Sequence, residues 1–153
     1  MKKNVKPHFR IAETRDVFKI LQLYQKAKTS IWQDILFLDY KRLERAIAAK
    51  TALWLLAEEG EKPIATLSFI FDTDHGLAKI TRMLVDPDVT ESKEHLRALL
   101  HFGLTTLKAK ISEIDIIYTT TLSMTLEQQE ITLEEGFRIL GVFPNVSEKI
   151  KVV

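Results

Sequence analysis

The residue types that could do chemistry here are few, and their spacing narrows them further. None of the 153 residues is a cysteine. That removes thiol nucleophiles, zinc–thiolate sites and disulfide frameworks together, and it suits a cytoplasmic setting. His75 stands beside Asp72 and Asp74, a grouping that could hold a metal. Asp and His are ordinary turn residues, so a surface turn is the stronger reading. His95 and His101 stand six residues apart on one helix pattern, which does not bring them to one face. Glu58 and Arg82 fall near strand ends, where charges are usually solvated. Trp32 and Trp54 read as packing groups before they read as a substrate box. The run Thr119-Thr120-Thr121 suits a strand by propensity and is a candidate pocket lining.

The elements that would position these groups follow from periodicity. Phe9 to Ala12 alternates as a short strand. Thr14 can cap a following helix whose Val17, Ile20, Leu21 and Tyr24 share one face. Residues Ile31 to Leu38 are dense in large apolar groups, and Asp39 can cap a second helix carrying Leu43, Ala46 and Ile47 inward. Ala52 to Ala57 is a continuous apolar run, as for a strand buried on both faces. A polar turn with Gly60 leads into a strand over Pro63–Phe71. A second turn, Asp72 to Gly76, leads into a third strand, Leu77–Val85, stopped by Asp86-Pro87-Asp88. Thr90, Glu91 and Ser92 open a long helix with Leu96, Leu99, Leu100, Gly103, Leu104 and Leu107 on one face. Ile114 to Thr121 reads as a strand, Thr125 to Gln128 as a capping box, Gly136 as a left-handed helix end, and Phe137–Val142 as a final strand. The fold class expected is α/β (α+β), with a mixed, mostly antiparallel central sheet and helices on both faces.

The balance of 22 basic against 21 acidic residues gives a net charge of +1. Such a chain has no electrostatic footprint for nucleic acid. No apolar run approaches the ~18 residues of a membrane span, and the basic start is soon broken by polar residues, unlike a signal peptide. One domain over 1–153, no membrane partner and a cytoplasmic location are the expectations.

Two segments resemble the GNAT superfamily of acyl-CoA-dependent N-acyltransferases. One is Met83-Leu84-Val85-Asp86-Pro87 ahead of the long helix. The other is Leu133-Glu134-Glu135-Gly136-Phe137-Arg138-Ile139-Leu140-Gly141 near the end of the chain. Together with the element order, the resemblance spans Phe9 to about Ile150. It implies acetyl-CoA or another acyl-CoA as co-substrate, with its pantetheine arm lying like an extra strand against Met83, Leu84 and Val85. A main-chain N–H near Met83 or Leu84 would polarise the thioester carbonyl. The pyrophosphate would rest on Val89 to His95, so that Thr90, Glu91, Ser92, Lys93, Glu94 and His95 are the candidate phosphate contacts. The acceptor would be an amine on a small molecule or a protein, attacking directly with no protein nucleophile.

The chain departs from the family pattern at three places. The phosphate turn has no glycine and carries Glu91 and Glu94. The position of the family's acidic Tyr holds Thr132, which leaves Tyr118 as the candidate general acid. The family's closing hairpin has one strand here. The expectation is a piece of a longer protein, or a homodimer or additional domain that completes the sheet edge. Two functional classes follow. One is an N-acyltransferase, with acetyl transfer as its simplest form. The other is a non-catalytic GNAT-like binding or regulatory module of a larger protein.

Overall fold

The computed structural model describes residues 5–27, 39–120 and 125–140. Five strands form one sheet in sequence order: β1 (His8–Ile11), β2 (Ala52–Glu59), β3 (Lys62–Asp72), β4 (Leu77–Val85) and β5 (Ile116–Tyr118). The first four are antiparallel neighbours, and β5 runs parallel to β4. Tight turns join β2 to β3 and β3 to β4, because Gly60 and Gly76 supply φ of +63° and +68°. A parallel neighbour needs a crossover, and the long helix α3 (Ser92–Lys110) provides it.

The uninterrupted apolar run of β2 is explained by cover on both faces. Trp54 and Leu56 pack with Val17, Ile20 and Leu23 of α1 (Val17–Lys26) and with Leu43 and Ile47 of α2 (Tyr40–Ala48). Leu55 and Ala57 point the other way, into a larger cluster with Leu96, Leu99, Leu100 and Leu107 of α3 and Ile131 of α4 (Leu126–Glu134). Side-chain alternation along a strand requires this division. Each Leu or Ile so buried contributes roughly 1.5–3 kcal/mol relative to exposure.

Most expected caps are present. Asp39 Oδ1 accepts from the Lys41 N–H, and the Thr125/Gln128 box is formed in both directions. Gly136 leaves α4 with φ +94°. Thr14 is not a cap. Glu13 and Asp16 form the reciprocal box instead, around a 3-10 turn over Thr14–Asp16. Residues 137–140 are irregular rather than the start of a strand, and 141 and 142 lie outside the described residues. The Ile31–Leu38 segment, with Trp32, lies outside them too. β5 covers only part of Ile114–Thr121: the ladder with β4 begins at Ile116, and Thr121 lies outside the described residues. The N–H groups of Asp115 and Ile116 both donate to the Gly76 carbonyl, at 2.8 and 3.0 Å.

Two buried ion clusters tie the layers together. Arg10 binds both oxygens of Asp16, each at 2.7 Å, and reaches Glu58 at 3.0 Å, while Lys19 also pairs with Glu58. Glu58 is thus a buried structural group, not a solvated strand-end charge. Asp86 is fully buried at the end of β4, where Lys26 of α1 lies 3.0 Å from it and Lys62 of β3 3.4 Å.

Candidate functional site

The site is a fork in the sheet. β5 pairs with β4 only from Leu77 to Lys79. Thr119 Oγ1 still reaches the Ile80 carbonyl at 3.4 Å, and beyond it no strand among the described residues lies on that side of β4. Among the described residues, the remaining half of β4, Ile80 to Val85, therefore presents a main-chain edge with no strand beside it. A bulge shapes that edge. Thr66 pairs with Leu84 and Ser68 with Thr81, so Arg82 and Met83 together oppose the single residue Leu67. Arg82 takes φ +52° to accommodate the extra residue. Its guanidinium lies over the Trp54 ring, 5.8 Å from the centroid.

Which peptide groups face the fork follows from the ladder. The Asp86 N–H donates to the Ile64 carbonyl at 2.8 Å, and Leu84 is the partner of Thr66. Main-chain groups alternate in direction along an antiparallel strand. Leu84 therefore turns toward β3, while Met83 and Val85 turn into the fork. The Met83 carbonyl is seen to do so, since it accepts from Gln128 Nε2 at 2.8 Å. Of the two expected positions for a polarising N–H, Leu84 is committed to the ladder and Met83 is not.

At the mouth of the fork α3 begins. Glu91 is its N-cap, with φ +61°, and the His95 N–H donates to the Glu91 carbonyl at 3.0 Å. The turn thus contains one left-handed residue, a conformation glycine adopts without strain, and here a glutamate fills it. Thr90 and Glu94 are exposed, and Ser92 is half-buried. Lys93 reaches across to α4, 3.0 Å from Glu130 and 3.5 Å from Glu134. The hydrogen bond that Lys93 donates to Glu130, with the charges of both glutamates, holds its ammonium above the ordinary lysine range. His95 Nε2 lies 3.6 Å from Glu59.

Tyr118 ends β5 at the point where the fork opens, beside Lys79. Ile117 packs toward α3, so Tyr118 projects to the opposite face, where it is 37% exposed. Thr132 is buried and donates its hydroxyl to the Gln129 carbonyl at 2.7 Å, within its own helix. It is spent on α4 and offers the fork nothing. The buried Asp86 locks the strand end. Burial alone would raise its pKa, but the Asp88 N–H, Lys26 and Lys62 outweigh that and hold it below the ordinary carboxylate range. Gln128 and Asp86 are the two residues whose place at the site sequence reasoning did not foresee.

Two grooves open elsewhere. One of about 620 Å³ runs along α3 between Phe9, Arg97, His101 and Phe102, and one of about 330 Å³ surrounds the Arg10 cluster. The first is lined in part by Glu94 at the start of α3, and neither is lined by a residue of the β4 edge. A slot one strand wide is defined by its unpaired main chain rather than by volume. His75 pairs with Asp72 at 2.8 Å, as a turn does, and no group of three or more potential metal ligands occurs among the described residues. No helix among them is long and apolar enough to cross a membrane.

No protein-family model and no curated protein matches the sequence. Solved structures do match its backbone. The PaiA N-acetyltransferase of Thermoplasma acidophilum, in complex with coenzyme A, superimposes with a TM-score of 0.74 at 13% identity, over 91% of this chain and 94% of that one. A predicted acetyltransferase of Clostridium acetobutylicum with acetyl-CoA gives 0.66 at 16% identity, over 94% and 98%. The fold is that of the GNAT acetyltransferases. An aminoglycoside acetyltransferase from a soil metagenomic sample, solved with sisomicin, shares it at a TM-score of 0.64 and 10% identity, over 90% of this chain and 94% of that one. At such identities the GNAT likeness speaks for backbone and topology. Side-chain chemistry has to be argued from this chain's own residues.

Proposed function

We propose that this chain is an acyl-CoA-dependent N-acyltransferase, in its simplest form an acetyltransferase. The observation that carries the reading is the fork. A strand edge without a strand neighbour among the described residues must satisfy its peptide groups. An extended arm with amide groups, such as pantetheine, matches that need along Met83 and Val85. The coenzyme A and acetyl-CoA found with two of the GNAT-fold structures support the same donor.

The reaction needs little from side chains. A deprotonated amine attacks the thioester carbonyl, the C–N bond forms, the C–S bond breaks, and the thiolate takes a proton. The main-chain N–H at Met83 is the donor for the developing oxyanion. Tyr118 is the group proposed to protonate the thiolate, and the amine proton passes to solvent. The acceptor is an amine on a small molecule or a protein.

Incubation with acetyl-CoA and a panel of amines, read as release of free thiol, tests the proposal. Amine-dependent release is expected, with Tyr118→Phe lowering kcat by about 10²-fold at unchanged KM. Donor binding with no turnover on any amine would favour a non-catalytic GNAT-like module. Gln128, which already occupies the Met83 carbonyl, is the observation on that side.

A further inference from the structure

The turn that opens α3 is chemically wrong for a diphosphate. Residues 86–95 contain Asp86, Asp88, Glu91 and Glu94 against a single lysine, Lys93. Asp86 is paired with Lys26 and Lys62, a group with one positive charge to spare, but Lys93 is drawn off by Glu130 and Glu134, and His95 faces Glu59. The three remaining carboxylates stand on the turn or at the helix start, all of them exposed. Glu91 also places a side chain at the left-handed position, where close approach of a phosphate favours glycine. The fork has the opposite character. Its edge is uncharged main chain, and the group that now occupies it is a carboxamide, with Gln128 Nε2 2.8 Å from the Met83 carbonyl.

From this contrast we infer that the donor is gripped by its pantetheine arm alone, and that a nucleotide diphosphate at the far end opposes binding. The preferred donor class is an acyl thioester on a pantetheine arm without the nucleotide. The inference rests on the proposed acyl transfer from a pantetheine thioester at the fork, and moves the preferred donor from acyl-CoA to a thioester without the nucleotide. The arm's amide N–H displaces Gln128 from the Met83 carbonyl, a one-for-one exchange of amide donors. The diphosphate meets Glu91 and Glu94 at a distance where each like charge costs about tenfold in affinity at high effective dielectric.

The sign of the salt dependence separates the two ways of binding. Where cations hold a phosphate, salt weakens the complex. Where carboxylates repel it, screening strengthens the complex. The experiment is calorimetric titration of the full chain with S-acetyl-pantetheine and with acetyl-CoA, at low and high salt. S-acetyl-pantetheine is expected to bind at least as tightly as acetyl-CoA and to be indifferent to salt, whereas acetyl-CoA gains affinity as salt rises. In the double variant Glu91→Gly with Glu94→Gln, acetyl-CoA is expected to bind about a hundredfold more tightly, tenfold for each charge removed, with S-acetyl-pantetheine unchanged. Acetyl-CoA that binds more tightly than S-acetyl-pantetheine, and loses affinity with salt, would overturn this inference and leave the proposed function standing. Binding of neither thioester would overturn both.

Discussion

Glu91 and Gln128 show how single residues set the site. A non-glycine residue at φ +61° carries a steric cost of about 1–2 kcal/mol. Glu91→Gly should therefore raise stability by about 1 kcal/mol, seen as a higher urea midpoint with an unchanged slope. An unchanged midpoint would mean that the turn holds Glu91 without strain. Gln128 has two roles that substitution can separate. Gln128→Glu keeps the acceptor for the Thr125 N–H but removes the donor to Met83, and should cost about 1 kcal/mol. Gln128→Ala loses both bonds and should cost more. Equal losses would show that the Thr125 bond contributes nothing, and no loss in Gln128→Glu would show that the Met83 bond contributes nothing. The capping box was legible in the sequence because its two residues are three apart. The bond to Met83 was not, since it joins residues 45 apart through a fold that no local pattern specifies.

At the scale of elements, α3 sits on the sheet as closely as it does because of Gly103. A Cβ there would stand 2.5 Å from Leu55 Cδ1 and 2.9 Å from Phe69 Cε2. Alanine is the better helix former by about 1 kcal/mol, but overpacking of this kind costs about 1–3 kcal/mol. Gly103→Ala should therefore lower stability despite its propensity, and a gain in a denaturation experiment would show that Leu55 and Phe69 can yield. The helix and the three central strands were readable because periodicity survives wherever one face, or both, is buried. β5 was overdrawn for a physical reason. Its β-branched residues favour extended backbone from Ile114 onward, but pairing is decided by the partner, and among the described residues the ladder with β4 runs only from Leu77 to Lys79. The fork is that loss of pairing, so the feature most relevant to function was the one propensity could not show. The bulge at Arg82 was equally hidden, because one extra residue in a strand leaves composition unchanged.

Across the whole molecule, buried ion pairs join elements that hydrophobic contacts alone would leave free to slide. For Asp16 and Glu58, burial pushes the pKa up, and the hydrogen bonds from Arg10, together with the Glu13 N–H at Asp16, the Lys19 hydrogen bond at Glu58 and the charges of Arg10 and Lys19, outweigh it. Asp86 behaves in the same way. All three are held below their ordinary values of 3.8 for Asp and 4.5 for Glu. A carboxylate with a depressed folded pKa contributes stability that is fully present above the unfolded value and is lost as pH falls through the folded one. Stability should be flat from about pH 7 to 5 and fall steeply below about 4. Asp86→Asn should lower stability at neutral pH and flatten that acid limb, as read from urea midpoints over a pH series. An unaltered limb would mean that Lys26 and Lys62 contribute nothing to holding the strand end. The central claim, that the open edge of β4 is where a thioester donor lies, is tested most directly by amide chemical-shift mapping during titration with S-acetyl-pantetheine. The largest shifts should fall on Arg82 to Asp86, with the Gln128 side-chain amide moving as it leaves the Met83 carbonyl. Shifts confined to the groove between Phe9 and Phe102, or no shifts at all, would contradict it.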